Sequence, residues 1–259
     1  MSHPFQAGER ILLVDSKDRR YLVKLREGAS YHTHAGGFEM DSLIGLDEGA
    51  RIETSKGAIL RAFRPTLSDV IFKMPRGAQV IYPKDLGPIL IYADIFPGVK
   101  VLEAGVGSGA LSMAMLRAGA IIKGYEIRPE FAKIAADNVE EHFGTSVSYE
   151  IEERDIYEGI NETDLDRIIL DLPEPWNVLP YADKSLKSGG IVLAYLPTIN
   201  QTTKFVEALE ENNFFSTKTI EILERSWHIE GRSVRPDHRM VAHTGFLTVS
   251  RYLGPKESR

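Results

Sequence analysis

The sequence predicts an α/β fold: a mostly parallel open sheet with helices on both faces, preceded by a small all-β domain. Three observations carry this expectation. From residue 98 onward, apolar runs of strand length alternate with amphipathic runs of helix length, which is the signature of βαβ units. The first of those runs ends in "EAGVGSG", three glycines in five residues between a strand and a helix. Residues 9 to 64 instead show short apolar runs separated by polar turns.

In chain order, "RILLV" and "YLVKL" flank "DSKDRR" and read as a hairpin, and "ARIET" and "ILRAF" flank "SKGA" and read as another. Between them "HTHAGGFEMDSLIG" is Gly-rich and is expected to be loop. "RPTLSDVIFKMPRG" reads as a short helix capped by Thr66 or Ser68 and closed by Pro75 and Gly77. Then follow strand "KVLEAGV", helix "SGALSMAMLRAG", strand "AIIKGYEI", helix "RPEFAKIAADNVEEHFG", and strands "SVSYEIEERD" and "DRIILDLP". "VLPYADKSLKSGG" is expected to be a helix, "GIVLAYLP" a strand, and "TINQTTKFVEALEENN" a helix capped by Thr198. Two last strands lie around "FFSTKTIEILERSW" and "HTGFLTVSRYL" with no helix between them, and so should pair antiparallel at one edge. The expected division is a β domain over 1–65, a linker helix and connecting segment over 66–97, and the α/β domain over 98–259.

Composition excludes several chemistries. With no cysteine among 259 residues, disulfides, thiolate zinc sites and cysteine nucleophiles are absent. His32 and His34 stand two apart with no convincing third ligand, so no metal site is expected. No apolar run approaches bilayer length, and "MSHPFQAGER" has no apolar core of a signal peptide, so a cytoplasmic protein is expected. The net charge of −6 is unevenly spread: residues 1–75 hold 11 basic and 10 acidic side chains, the remainder 20 and 27. Within that acidic remainder, Arg225, Arg232, Arg235, Arg239 and Arg251 face only Glu230 and Asp237 between residues 225 and 251. A local basic face on an acidic body follows, and Arg232, Arg235 and Arg239 are candidates for phosphate contact, with ion pairing as the plain alternative. His238 and His243 are spaced for neither strand nor helix pairing and are expected to support this arginine segment.

The glycine loop suits a ligand. Gly105, Gly107 and Gly109 let the backbone turn sharply and let a ligand approach it. The spacing is G-x-G-x-G rather than the dinucleotide fingerprint G-x-G-x-x-G. Glu126 ends the next strand, where an acid can bind a ribose diol, and Asp155 ends the third strand, where it can accept from an adenine amino group. Glu103, just before the glycines, would repel a pyrophosphate and suits a sulfonium amino acid.

Asp171 ends the fourth strand in "DLPEPW", which resembles the D-P-P-aromatic motif of methyltransferases acting on adenine nitrogen. Two prolines stiffen the backbone that carries the carboxylate, and Trp176 is a candidate stacking partner for a base. A ring nitrogen already has its lone pair, so no base is needed to expose it. A carboxylate bonded to the neighbouring exocyclic amine stabilises the positive charge that reaches the purine and orients the ring.

Together "VLEAGVGSGALS", "DLPEPW", "RSVRPDHRMVAHTGFL" and "QVIYPKDLG" resemble the tRNA adenine-N1 methyltransferases of the TrmI family, along essentially the whole chain. The resemblance implies a Rossmann-like class I methyltransferase domain with a mostly parallel seven-stranded sheet and an antiparallel edge strand. It implies S-adenosylmethionine as cofactor, a T-loop adenine of tRNA (position 58) as target, and a homotetramer. Some archaeal relatives also methylate position 57. Carried over residue by residue, it gives Glu103, Gly105, Gly107, Ser108, Gly109, Ala110 and Leu111 to the cofactor loop, Glu126 to the ribose and Asp155 to the adenine. It gives Asp171 to catalysis and matches Tyr82 and Tyr195 to family tyrosines near the target base; from the residues themselves, His34 is expected to make loop hydrogen bonds or an RNA contact. Two rivals remain from the residues: an NAD-dependent oxidoreductase on the same type of sheet, and a non-catalytic RNA-binding subunit.

Overall fold

The computed structural model describes residues 3–77 and 79–255. Its contacts divide the chain between Met74 and Pro75 into two compact units.

In the first unit β1 (Arg10–Asp15), β2 (Arg20–Lys24), β5 (Arg51–Glu53) and β6 (Ile59–Phe63) form an antiparallel sheet of order β2-β1-β6-β5. Ile11, Leu13, Val23, Leu25 and Leu60 pack its core with Phe5 and Leu43. The β1–β2 turn is set by Asp15, whose carboxylate accepts from the amides of Lys17 and Arg19 at 2.8 and 3.0 Å. The Gly-rich segment expected to be loop forms a separate hairpin, β3 (Ser30–Thr33) and β4 (Gly36–Glu39). Glycine hid it, because glycine is a poor strand former in isolation. Here Gly37 is needed for packing: a Cβ there would lie 2.3 Å from the His32 ring. Helix α1 (Leu67–Lys73) starts in a capping box, Thr66 accepting from the Asp69 amide and Asp69 from that of Thr66.

In the second unit the strands are β7 (Lys100–Ala104), β8 (Ile121–Glu126), β9 (Tyr149–Glu153), β10 (Leu165–Leu170), β11 (Leu186–Leu196), β12 (Phe214–Glu221) and β15 (Phe246–Tyr252). They form one sheet of order β12-β15-β11-β10-β7-β8-β9. Only β15 runs against its neighbours, pairing antiparallel with both β11 and β12. The helices are α2 (Pro83–Tyr92), α3 (Ala110–Arg117), α4 (Pro129–Phe143), α5 (Ala182–Ser185) and α6 (Ile199–Glu211). Thr198 caps α6 by accepting from the Gln201 amide. From β7 the chain builds outward through β8 and β9, then returns to β7's other side with β10 and continues to β11. The order therefore reverses between β7 and β10, and the carboxyl ends of those strands frame a crevice.

Two expectations are corrected. The helix expected over 178–190 is only α5; the backbone before it makes 3-10 turns at Pro175–Asn177 and Leu179–Tyr181, and β11 already begins at Leu186. Pro180 interrupts the helical ladder, while Leu186 pairs with Leu165. The arginine segment also contains an unexpected hairpin, β13 (Trp227–Glu230) with β14 (Ser233–Pro236), turning at Gly231 with φ 54°.

Candidate active site

The first crevice wall is built from the glycine loop. Gly105, Gly107 and Gly109 have φ of 82, 58 and 82°, a region other residues enter only with strain. The Gly107 amide donates to Glu126 Oε2 at 3.0 Å, while Glu126 Oε1 accepts from the Arg128 amide at 3.1 Å. Glu126 thus fixes the loop from the end of β8. Asp155 Oδ1 accepts from the Tyr157 amide at 2.9 Å and holds the turn after β9.

These ends enclose a cavity of about 320 Å³ lined by Gly105, Glu126, Asp155, Tyr157, Asp171 and their neighbours. Of the residues expected to hold a cofactor, Gly105, Glu126, Asp155 and Asp171 are on this wall. Glu103, Gly107, Ser108, Gly109, Ala110 and Leu111 are not; they belong to the end of β7, the loop and the start of α3. Glu103 is buried, and its Oε2 accepts from Ser112 Oγ at 2.6 Å while its Oε1 has no partner. Burial pushes its carboxyl up to about 8 against the pull of the Ser112 hydroxyl, and the Asp171 and Glu126 charges add to the rise. Ser108 Oγ is likewise buried and unpaired.

A second cavity, of about 420 Å³, is lined by Gln79, Val80, Ile81, Tyr82, Asp171, Tyr195, Pro197, His243 and Thr244. Asp171 is therefore on the wall of both. Burial, helped by the Glu126 charge, pushes Asp171 up to about 7. Burial also pushes the Tyr195 phenol up to about 12, so that it serves as a neutral hydroxyl. Gly245 passes directly over the Tyr195 ring, where a Cβ would approach to 2.5 Å.

Tyr82 lines this second cavity from the N-cap of α2. That helix is held at both ends. Buried Lys84 donates to Asp85 Oδ1, Ile222 O and Thr244 Oγ1 at 2.7, 2.6 and 2.6 Å, and Thr244 Oγ1 donates to Asp85 Oδ2 at 2.7 Å. At the other end Arg167 of β10 bonds the Ala93 carbonyl and pairs with Asp94 at 2.9 Å. "QVIYPKDLG" is legible as a motif, but the role of Lys84 and Asp85 in it is not, because Thr244 and Ile222 are far along the chain.

A family model described as the tRNA methyltransferase complex GCD14 subunit matches residues 62–244. The chain belongs to that family. A model described as TrmI-like N-terminal matches residues 4–52 of this GCD14-family chain. Its curated relatives include the tRNA (adenine(57)-N(1)/adenine(58)-N(1))-methyltransferase TrmI of Methanocaldococcus jannaschii, 39% identical over 93% of this chain and 94% of the relative. The tRNA (adenine(58)-N(1))-methyltransferase TrmI of Thermus thermophilus is 35% identical, covering 93% and 96%. Among solved structures, the TrmI tRNA (m1A58) methyltransferase of Aquifex aeolicus superposes with a TM-score of 0.85 at 30% identity, covering 97% and 100%. A Thermotoga maritima protein described as a SAM-dependent O-methyltransferase superposes at 0.93 with 33% identity, covering 99% and 97%.

Trp176, a candidate for base stacking, is on neither cavity wall. Its ring packs against the hydrophobic core and carries Lys204 Nζ 4.0 Å above its centroid. Arg232, Arg235 and Arg239 are exposed on and after the β13–β14 hairpin. His34 is exposed in the first unit, its Nδ1 3.1 Å from the Tyr21 hydroxyl. Among the described residues no group of three His, Cys, Asp or Glu side chains is placed to hold a metal ion, and no helix is long and apolar enough to cross a membrane.

Proposed function

We propose that this GCD14-family chain is a tRNA (adenine(58)-N(1))-methyltransferase using S-adenosylmethionine, with position 57 as a second target to be tested. The observation that carries this is the placement of Asp171 between two cavities, one suited to a methyl donor and one to a base.

The first cavity fits the donor. Gly105 on its wall lets the glycine loop pack directly against the Asp171 backbone, Glu126 and Asp155 offer carboxylate acceptors to a ribose and an adenine, and buried Glu103 adds a latent negative charge. When bound, S-adenosylmethionine supplies an electrophilic methyl group on a positively charged sulfur. Both arginines on this wall are engaged, Arg128 with Glu126 and over the Phe131 ring, Arg154 with Glu152 and over the Tyr125 ring. Acid-rich walls disfavour a pyrophosphate, which weighs against the dinucleotide reading.

Asp171 accepts from the adenine exocyclic amine, leaving N1 directed at the first cavity. Its charge stabilises the cation that the purine becomes. Tyr195, held neutral, and Tyr82 bound the ring and limit its rotation. No proton need leave N1, so Asp171 acts as a charge and an orienting acceptor. A hydroxyl acceptor would need a base instead, and the O-methyltransferase description of the Thermotoga relative makes that the reading to test against.

The chain is further proposed to bind tRNA phosphates through Arg232, Arg235, Arg239 and His34, to work as a homotetramer that pools such surfaces, and to act in the cytoplasm. The decisive experiment is mass-spectrometric mapping of tRNA treated with protein and cofactor. Expected is 1-methyladenosine at position 58, absent when the tRNA carries another base there. A 2′-O-methylated nucleoside, or no transfer despite tRNA binding, would replace this reading.

A further inference from the structure

His243 lines the second cavity with both ring nitrogens facing acceptors. Nδ1 is 2.7 Å from Glu221 Oε1 at the end of β12, and Nε2 is 2.7 Å from the Pro197 carbonyl just beyond β11. A neutral imidazole has one donor and one acceptor nitrogen, and only the imidazolium donates from both. One of these two bonds is therefore broken when the ring gives up its proton. The next residue, Thr244, is joined to Lys84 and Asp85 of α2, and Phe246 packs 4.9 Å from the imidazole. The segment 243–244 thus forms one wall of the cavity, with a permanent attachment to α2 and a titratable one to β11 and β12.

We propose that His243 is a positioning residue for the acceptor base: as an imidazolium it ties the 243–244 wall to the ends of β11 and β12, and its deprotonation loosens that wall. This deepens the methyltransferase reading and rests on it for the identity of the acceptor. The Pro197 carbonyl and the Glu221 carboxylate both raise the pKa of the ring, while desolvation and, to a smaller extent, nearby Lys84 oppose them. The other titratable groups around the cavity are Asp85 on α2, Tyr82 before it, Tyr195 on β11 and Asp171 after β10. No step of the chemistry passes through His243, so its effect belongs on acceptor affinity.

The test compares wild type with His243→Gln and Glu221→Gln between pH 6 and 9, measuring KM for a tRNA transcript, kcat, and Kd for S-adenosylhomocysteine. At pH 6.5 His243→Gln should raise the tRNA KM about fivefold, the size of one to two hydrogen bonds, with kcat and the cofactor Kd little changed. The KM ratio should fall toward one as pH rises and the wild-type ring loses its proton. Glu221→Gln should move the wild-type fall in affinity to lower pH. A ratio constant across pH, or no change in KM, would overturn the proposal. Histidine-labelled NMR, with His243→Gln as the assignment control, reads the ring without substrate. Expected are two protonated nitrogens that persist to higher pH in wild type than in Glu221→Gln, and identical titration of the two proteins would also overturn it. Absence of any tRNA methylation by wild type would instead strike the methyltransferase reading, on which the NMR result does not depend.

Discussion

Gly105 and Asp171 are packed against each other: a Cβ added to Gly105 would lie 2.1 Å from the Asp171 carbonyl oxygen. The Asp171 amide also donates to the carbonyl of Ala104 at 3.0 Å. The glycine loop after β7 and the acid after β10 are thus one structural element across the switch point. The first cavity and the orientation of Asp171 depend on the same close approach.

Gly105→Ala should damage both. Its φ of 82° is unfavourable for alanine, and the obstruction is backbone, which cannot move aside without displacing Asp171. The expected cost is at least about 2 kcal/mol. Thermal melting should show a Tm lower by roughly 5 °C or more, with weakened S-adenosylhomocysteine binding by calorimetry. A variant with wild-type Tm and Kd would refute this account of the crevice.

Asp171→Ala should retain cofactor binding and reduce turnover by at least about two orders of magnitude, the scale of removing a group that stabilises transition-state charge. In the proposed mechanism the working form is the carboxylate. Because its pKa in the free protein is raised to about 7, kcat/KM should fall as pH drops below that value. Single-turnover methylation of tRNA measures both effects. Turnover close to wild type would remove Asp171 from the mechanism.

Glu103 gives a stability prediction of definite sign. Its pKa is raised from 4.5 to about 8 in the fold, so between those values the folded chain holds a proton that the unfolded chain has released. Stability of the cofactor-free protein should therefore fall as pH rises from 4.5 to about 8, with Asp171 acting in the same direction over its own window. The Glu103 contribution is on the order of 3–5 kcal/mol. Glu103→Gln should flatten much of the fall in Tm across this window, and an unchanged pH profile would count against a protonated Glu103.

The arginine segment is tested by salt. If Arg232, Arg235 and Arg239 bind phosphates, the triple glutamine variant should bind tRNA more weakly. Its plot of log affinity against log salt should be shallower, by roughly 0.7–0.9 for each phosphate no longer neutralised. Equal slopes would assign these side chains to ion pairing or to contacts between subunits.

Much of this architecture is readable along the chain because its signals are local. "EAGVGSG" announces positive φ, Thr198 caps its own helix, and alternating apolar runs declare a layered sheet. At the hairpin Ser30–Glu39 glycine obscures the strand pattern, and at the shortened α5 the stretch read as one helix carries Pro180 near its start. At the site, Asp171, Tyr82 and Tyr195 are found through motifs. His243 reads along the chain only as support for the arginine segment, since its partners Pro197 and Glu221 are 46 and 22 residues away.

By itself the sequence determined the βαβ order, the glycine loop, the absence of cysteine chemistry and the acids at the strand ends, because each depends on residues a few positions apart. Packing between distant elements decides that Asp171 lines two cavities, that the Trp176 ring packs against the core, and that the wall formed by His243 and Thr244 is tied to Lys84 and Asp85 of α2. Those relations require strands and helices distant in the chain to meet. The partners that satisfy a buried charge or a ring nitrogen exist only once packing has brought them together.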